Sequence, residues 1–322
     1  MILRAAVFHL KSGGFHWKGG YVGLKKRSKL VARRTMWAYL FMAPSLILVL
    51  VFTVYPIIAS LVITLMNYSG GLGKTEFVGL GNFQKLFKDR VFWIAVKNSL
   101  TFVTIVPIIQ ILSILLALLL NRKVKGVGIF RTLYYIPVVT SAVATSIMWS
   151  FLMGPQGIIN NVLLDLGLID IPQGFFSMKR LAMPSVMFVT IWQGLGYYMM
   201  MYLAGLQSVS PEYQEAARID GANGFQVFTK ITFPLLKPYV WFCTLNSVIA
   251  AIGVFDVVFM LTEGGPNNAT MVINYYGYTK AFKEFKFGYG AAINLCQAVV
   301  TTAVSILVFI YGKSGGGMTS NE

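Results

Sequence analysis

The chain has 322 residues, of which 56% are hydrophobic and only 12% are charged, and its mean hydropathy is +0.68. Soluble domains carry about a quarter charged residues, so this composition excludes an ordinary soluble domain and indicates an integral membrane protein. The net charge of +16 does not require nucleic acid, because basic residues of membrane chains mark cytoplasmic loops and contact anionic lipid.

The N-terminal residues 1–36 form a basic tail that contains no acidic residue. The apolar run that follows is too long for a cleaved signal peptide and has no clear small-residue cleavage site. We therefore expect a cytoplasmic tail that leads into an uncleaved span. This span and an extracytoplasmic interfacial segment would occupy residues 37–97.

Six apolar stretches are long enough to cross a bilayer, which takes about 20 residues. They are residues 38–65, 98–120, 132–153, 183–206, 239–262 and 289–311. The sequence thus predicts an all-α membrane protein with six transmembrane helices. Lysine and arginine are more numerous in the tail and in the loops at 121–131 and 208–238 than on the opposite side. We therefore expect both termini, including a short tail at 313–322, to be cytoplasmic.

Three loops are expected on the opposite, extracytoplasmic side. Apolar residues recur at helical spacing within 79–89 and predict a short helix in the membrane interface. Residues 153–182 are expected to form a small cap. The string Glu263–Asn268 combines glycine, proline and asparagine and predicts tight turns.

The longest polar interruption in the second half of the chain, residues 210–238, predicts two short helices joined by a turn. Ser210 is a favourable N-cap for the first helix, and Gly221 can adopt the left-handed conformation that closes a helix. Asn223 can cap the second helix, which Pro234 would end or kink. A charged helix–turn–helix between two spans indicates a surface for another protein.

This polar stretch resembles the EAA loop of the permease subunits of ABC importers. The resemblance is carried by Glu215-Ala216-Ala217, Gly221 and Ile231-Thr232-Phe233-Pro234, where the family usually has leucine in place of Phe233. It implies a coupling loop that docks into a cleft of a separate cytoplasmic ATPase. The residues implied to couple to the ATPase are Glu215, Ala216, Ala217, Asp220, Gly221, Ile231 and Pro234.

Two further strings resemble the same family. Leu261–Pro266 is similar to the L-T-x-G-G-P string that follows the fifth core span, and Asn98-Ser99-Leu100 resembles the start of a conserved membrane core, here 98–312. The likeness is to maltose- and glycerol-phosphate-type permeases, which implies an importer of a carbohydrate in a bacterial inner membrane. It also implies three kinds of partner: a second homologous permease, two ATPase subunits and an extracytoplasmic solute-binding protein.

Two strings look like the end of a phosphate-binding P-loop, namely Gly73-Lys74-Thr75 and Gly312-Lys313-Ser314. Each lacks the glycine that the pattern needs five positions before its second glycine. We therefore expect the chain to bind no cofactor, metal or nucleic acid and to catalyse no reaction. ATP and magnesium would be held by the separate ATPase chains.

A substrate path is indicated by polar residues in the fourth and fifth predicted spans. Asp256 is the only acidic residue well inside a predicted span. A carboxylate there faces a pathway or a partner, and a structural hydrogen bond to a neighbouring helix or subunit explains it equally well. Gln193 and Tyr197 share one helix face and offer a sugar hydrogen bonds and an aromatic surface. Packing of aromatic residues at the membrane interface is the alternative.

The resemblance to maltose-type permeases implies sugar contacts at several of these positions. Some matching positions of the fifth span, such as Ala250, are small or apolar here where the maltose permease has amide or aromatic groups, so the same substrate is not implied. The candidate residues of the path are Thr190, Trp192, Gln193, Gly194, Tyr197, Ser247 and Asp256.

An ion-coupled secondary transporter is the competing interpretation. It predicts inverted repeats and several intramembrane ionisable groups, and the sequence has neither.

Overall fold

A computed structural model describes residues 29–71, 73–121 and 126–314, with side chains between 33 and 312. Most of the tail at 1–36, part of the loop at 121–131 and most of the tail at 313–322 lie outside the described residues. The α-helices are α1 (Lys29–Val49), α2 (Tyr55–Thr64), α3 (Gly81–Lys88), α4 (Arg90–Phe102), α5 (Ile105–Leu120), α6 (Val127–Val139), α7 (Ala142–Leu152), α8 (Ile158–Asp165), α9 (Lys179–Ser208), α10 (Pro211–Ile219), α11 (Gly224–Val227), α12 (Phe233–Ile252), α13 (Asp256–Leu261), α14 (Ile273–Tyr278) and α15 (Phe287–Ser314).

The remaining regular structure is short. π-Helical turns occupy Leu50–Val54, Phe228–Thr232 and Thr279–Lys283. Strands β1 (Met66–Asn67) and β2 (Glu76–Phe77) form one antiparallel ladder in which Met66 lies opposite Phe77. The predicted all-α fold is therefore confirmed, and the short helix predicted within 79–89 is α3.

The chain divides into two compact units, with the boundary between Ala59 and Ser60. The first unit contains α1, a π-helical turn and the start of α2. Its large apolar side chains are exposed, as Phe52 is at 73%. The helix from Arg33 to Thr64 is long and apolar enough to cross a membrane, and a helix that is apolar on all faces is suited to lipid.

The second unit is built around α9, which packs against α5, α6, α7, α12 and α13. Two glycines allow these close approaches. A Cβ at Gly196 would collide with the carbonyl oxygen of Tyr134 on α6, and a Cβ at Gly205 would lie 2.8 Å from the ring of Tyr239 on α12. Small residues therefore let α9 approach its neighbouring helices closely.

Five of the six predicted spans have the length and composition of membrane helices. Within the described residues, the stretches Arg33–Thr64, Arg90–Leu120, Gly224–Leu261 and Phe287–Gly312 each pass that test, and α6 with α7 would form a fifth span. The other predicted span is α9, whose 30 residues extend about 45 Å. Its tyrosines and polar residues make α9 less apolar, which agrees with its packing against protein on several sides.

The third predicted span, 132–153, contains Pro137, where a kink was expected, but it is divided into two helices a few residues later. α6 ends at Val139, α7 begins at Ala142, and the two axes meet at 102°. Thr140 and Ser141 between them have extended backbone, and the Thr140 hydroxyl donates to the carbonyl of Ile136, 2.8 Å away. A threonine that bonds its own backbone competes with helix continuation.

The fifth predicted span is also interrupted, because α12 ends at Ile252 and α13 begins only at Asp256. Carbonyl groups freed by the break accept hydrogen bonds from other helices. Asn274 Nδ2 donates to Gly253 O at 2.7 Å, and Gln297 Nε2 donates to Ile252 O at 3.4 Å. Irregular backbone at membrane depth needs such partners. Asp256 is thus the first residue after a break, and not part of a regular span as its position in the sequence suggested.

Candidate functional site

The polar stretch at 210–238 begins with the predicted helix and turn. The Ser210 hydroxyl accepts from the amide of Glu212 at 3.4 Å and caps α10, which buries none of its residues. Gly221 follows with φ +86°, the left-handed conformation that favours glycine. A Cβ at Gly221 would meet no atom within 4 Å. The requirement for glycine here comes from the backbone alone.

The second helix of this stretch is closed at its start by a reciprocal pair of hydrogen bonds. Asn223 Oδ1 accepts from the amide of Gln226, and Gln226 Oε1 accepts from the amide of Asn223, each at 2.9 Å. Of the two expected effects of Pro234, an end or a kink, the helix shows no end at this residue. The chain widens into the π-helical turn Phe228–Thr232 and continues into α12. A wide turn relieves the clash that a proline ring makes with the preceding turn.

The surface of this loop is rich in exposed side chains. Of the predicted coupling residues, Glu215, Ala216, Asp220, Gly221 and Pro234 are exposed, and Ala217 and Ile231 are half-buried. Ile219 is 86% exposed and Phe225 is 76% exposed. Exposed apolar side chains beside charged ones mark a protein contact surface. The sequence interpretation did not single out Ile219 or Phe225, because exposure cannot be read from residue type.

The candidate path residues of α9 lie where three helices meet. Gln193 Nε2 donates to the carbonyl of Thr140 at 3.4 Å, which is the bend between α6 and α7. Trp192 packs edge to face on Trp149 of α7, with ring centroids 5.3 Å apart. Thr190 donates to the carbonyl of Val186 in its own helix at 2.9 Å.

Two more candidates on α9 differ in their surroundings. A Cβ at Gly194 would lie 3.2 Å from Ile109 of α5, so this glycine allows close packing between the two helices. Tyr197 is 37% exposed and stacks edge to face on Tyr198. Tyr197 is therefore the more accessible of these two candidates.

Ser247, the candidate on α12, belongs to a buried polar cluster. Gln110 Nε2 on α5 donates to the Ser247 hydroxyl at 2.8 Å and to the carbonyl of Cys243 at 3.1 Å. Tyr202 on α9 donates to Gln110 Oε1. The cluster ties α5, α9 and α12 together. The sequence interpretation missed Gln110, although an amide in the middle of an apolar run was a signal.

Asp256 is exposed on this chain at the start of α13. α13 packs against α7 and α9, so the structure brings together two of the three helices that carry path candidates, α9 and α13. Asp256 and Gln193 form no hydrogen bond with one another among the described contacts.

Within the described part of the chain, no three His, Cys, Asp or Glu side chains form a group that could hold a metal ion.

The chain was compared with family models and with known proteins. Residues 109–314 match the family described as binding-protein-dependent transport system inner membrane component. The chain belongs to this family. The match covers most of the second unit, including α9 and the polar loop at 210–238.

Individual proteins of known sequence match this chain along most of their length. A lactose transport system permease from Rhizobium radiobacter is 36% identical over 88% of this chain and 96% of the relative. A trehalose/maltose transport system permease from Thermococcus litoralis is 31% identical over 89% and 97%. The fold also matches a bacterial ABC transporter involved in the import of the acidic polysaccharide alginate. That match has a TM-score of 0.78 and 24% identity over 90% of this chain and 99% of that one.

The string at Asn98 contacts the backbone that directly follows the string Leu261–Pro266. Asn98 Nδ2 donates to the carbonyls of Asn268 and Met271, each at 2.9 Å. Ser99 accepts from the amide of Ile273 at 3.1 Å. We call Leu261–Asn274 the anchored segment, because side chains far away in the sequence hold its backbone.

The anchored segment continues into a charged hydrogen-bond cluster at Asp89. Asp89 Oδ2 accepts from Tyr276 at 2.5 Å and from Tyr289 at 2.7 Å, and its Oδ1 accepts from the amide of Val91 at 2.8 Å. Burial acts to raise the pKa of Asp89, but these hydrogen bonds outweigh burial and hold the pKa below its usual 3.8. The carboxylate is therefore charged at neutral pH and caps α4 while it joins α14 and α15.

Proposed function

We propose that this chain is the permease subunit of an ATP-driven ABC importer for a carbohydrate. The observation that carries the proposal is the exposed, capped helix–turn–helix at 210–238 in a chain of the binding-protein-dependent transport family. Relatives named for lactose and for trehalose/maltose support a sugar as the substrate class. The chain itself would catalyse no reaction.

The assembly that we propose has the partners that the family resemblance implies. A second, homologous permease would enclose the path, two ATPases would bind ATP and magnesium, and a solute-binding protein would deliver the sugar. Residues 98–312 would form the transport core. Both termini and the loop at 210–238 would be cytoplasmic, so that the loop faces the ATPases in the inner membrane.

The proposed mechanism uses the connection between the coupling loop and the substrate path. α11, the π-helical turn and α12 are continuous from Gly224 to Ile252, and this helix ends at the break beside Asp256. Closure of the ATPase dimer on ATP would move the coupling loop, and a continuous helix would carry that movement to the break. The path would then open to the outside, as alternating access requires.

The proposed path is lined by the candidates on α9, α12 and α13. Gln193 and Tyr197 offer an amide and a phenol to sugar hydroxyls, and Asp256 offers a charged acceptor. An exposed carboxylate in a stretch of membrane-span composition needs a polar partner, which the second permease or the substrate would supply. Ser247 would act through the buried Gln110 cluster, since its hydroxyl is already bonded.

Substitution of Gly221 tests the coupling role. Gly221→Val forces a Cβ onto a backbone with φ +86°, which costs about 1–3 kcal/mol of local strain and should displace α10. We expect an assembled complex whose ATP hydrolysis no longer rises with sugar-loaded binding protein. Gly224→Val is the matched control, because Gly224 also has free space around it and its φ is not positive. Normal stimulation of the Gly221→Val complex would remove this loop from coupling.

Substitutions at the path test the substrate assignment. Asp256→Asn and Gln193→Ala should each lower sugar uptake into proteoliposomes by about tenfold or more, which corresponds to the loss of about 1.4 kcal/mol. Assembly with the ATPase should be unchanged, as judged by co-purification. Thr132→Val on α6 is the control, since Thr132 is exposed, lies outside the proposed path, and its hydroxyl already bonds to the carbonyl of Gly128 in its own helix. If both path variants transport sugar at the normal rate, the assignment of these residues is wrong.

A further inference from the structure

One open cavity of the second unit is lined by none of the proposed path residues. It has a volume of about 620 Å³, within the range of about 300–1,000 Å³ that small-molecule sites occupy. Its walls are the end of α7, the chain just before α9, and the start of the anchored segment. We call it the rim cavity. Its principal lining side chains are Ser150, Phe175, Phe176, Ser177, Thr262 and Glu263.

Two walls of the rim cavity are joined by a side chain that does not line it. Asn160 of α8 is fully buried. Its Nδ2 donates to the carbonyl of Gly154 at 2.8 Å and to that of Gln173 at 3.0 Å, and its Oδ1 accepts from the amide of Gln173 at 2.7 Å. The backbone after α7 and the backbone before Phe175 are therefore held together.

The third wall is held in the same way. Thr270 is fully buried, and its hydroxyl bonds to the Thr262 hydroxyl and to the carbonyl of Gly265, each at 2.7 Å. Between these residues, Glu263 has φ +46°, a strained conformation for a residue with a side chain. Strain held by buried hydrogen bonds indicates that the position of Glu263 matters.

The lining of the rim cavity has the chemistry of a sugar site. Phe175 and Phe176 are half-buried aromatic rings, which suit the C–H faces of a sugar ring. The Glu263 carboxylate is 65% exposed although Lys283 donates to it at 2.6 Å. The hydrogen bond from Lys283 lowers the pKa of Glu263, so the carboxylate is a charged acceptor for sugar hydroxyls at neutral pH.

Independent support comes from unpaired polar atoms on α7, at positions further from the cavity along the helix. Thr145 Oγ1, Ser146 Oγ and Trp149 Nε1 are buried and have no hydrogen-bond partner among the described residues. Thr145, Trp149 and the lining residue Met153 are spaced by four and share one helix face. Trp149 in turn packs on Trp192. Unpaired buried polar groups are costly, and these lie on the helix whose end forms one wall of the rim cavity.

We propose that the rim cavity is a carbohydrate-binding subsite, which a sugar ring occupies before it reaches the residues around Trp192 and Gln193. The proposal rests on the proposed function for its ligand class. It assigns the site to Phe175, Phe176 and Glu263, none of which belongs to the proposed path. The walls of the cavity are held by buried side chains, so the site is formed before a ligand binds.

The test measures sugar binding to the complete complex in nanodiscs without binding protein. The probes are lactose, maltose and trehalose at millimolar concentration, observed by saturation-transfer NMR. Phe176→Ala should weaken binding of at least one of these sugars by about tenfold. Ser150→Trp, placed on an exposed helix position at the cavity rim, should fill the cavity and abolish binding even if Phe176→Ala fails to assemble. Phe151→Ala is the matched control, because Phe151 is 76% exposed and does not line the cavity.

The possible outcomes separate this inference from the proposed function. Binding that is lost in Phe176→Ala and Ser150→Trp and kept in Phe151→Ala supports the subsite. Equal binding in all variants, equal loss in Phe151→Ala, or no binding of any probe to the unaltered complex overturns it. Weaker docking of the binding protein to Phe176→Ala without binding of free sugar also overturns it. ATP hydrolysis that still rises with sugar-loaded binding protein would leave the importer function intact in each of these cases.

Discussion

The anchored segment and the coupling loop are both polar interruptions of an apolar chain, but they are held in different ways. The backbone of the anchored segment is held by Asn98 and Ser99 of α4, which lie far away in the sequence. Thr270 adds a hydrogen bond across the segment to Thr262. The coupling loop is held by its own caps at Ser210 and Asn223, and α10 buries no side chain. One region is held by the rest of this chain, and the other is shaped locally and leaves its outer face exposed.

This difference has a physical reason. Hydrogen bonds from distant side chains remove freedom from a loop and let it hold strained residues such as Glu263. Local caps define the helices but leave their outer faces free. A loop that transmits movement must keep a free face for the moving partner, whereas a loop that forms the wall of a cavity must not move. The two regions therefore predict different responses to substitution.

The largest expected effect on stability comes from Asn98→Ala. The substitution leaves the carbonyls of Asn268 and Met271 without their partner, and unsatisfied buried groups cost about 1–3 kcal/mol each. We expect a loss of about 3 kcal/mol, measured as a lower midpoint of heat unfolding of the purified complex. Asn246→Ala is the control, because the Asn246 amide bonds only within its own helix. Equal midpoints for the two variants would show that Asn98 does not anchor the segment.

A smaller effect on stability, which depends on pH, is expected from substitution of Asp89. Its pKa is held below the usual 3.8 in the folded chain. The stabilisation is therefore fully present above about pH 4 and is lost as pH falls through the lower, folded pKa. Asp89→Asn should lower stability at pH 6 by about 1–2 kcal/mol and should flatten the fall in stability toward pH 3. Asp165→Asn, the same change of charge at an exposed position, is the control. A fall in stability toward pH 3 that is equally steep in the unaltered protein, in Asp89→Asn and in Asp165→Asn would contradict the prediction.

The smallest effect on stability, with a large effect on function, is expected from Glu215→Lys. Glu215 is exposed on α10, and substitutions at exposed positions change the free energy of unfolding by about 0.5 kcal/mol or less. Charge reversal at a protein contact can cost several kcal/mol of binding, so ATP hydrolysis should lose its response to loaded binding protein. Glu76→Lys on β2 is the control for the charge change. A Glu215→Lys complex with normal coupling would break the contrast between the two regions.

The sequence by itself determined the membrane class, the all-α fold and the helix–turn–helix at 210–238. These follow from local chemistry: apolar length for the spans, and capping residues and a glycine for the loop. Ser210, Gly221 and Asn223 act within a few residues of themselves, which is why their roles could be predicted.

The tertiary structure alone decided the bends of the third and fifth predicted spans, the contact of Asn98 with the anchored segment, and the rim cavity. Each depends on groups far apart in the chain, as Asn274 and Gly253 are, or Asn160 and Gln173. Residue types indicate which groups need a hydrogen bond, but only the packing of the helices decides which partner each group finds. The same reason explains why Gln110 was missed and why Asp256, predicted inside a span, lies at its break.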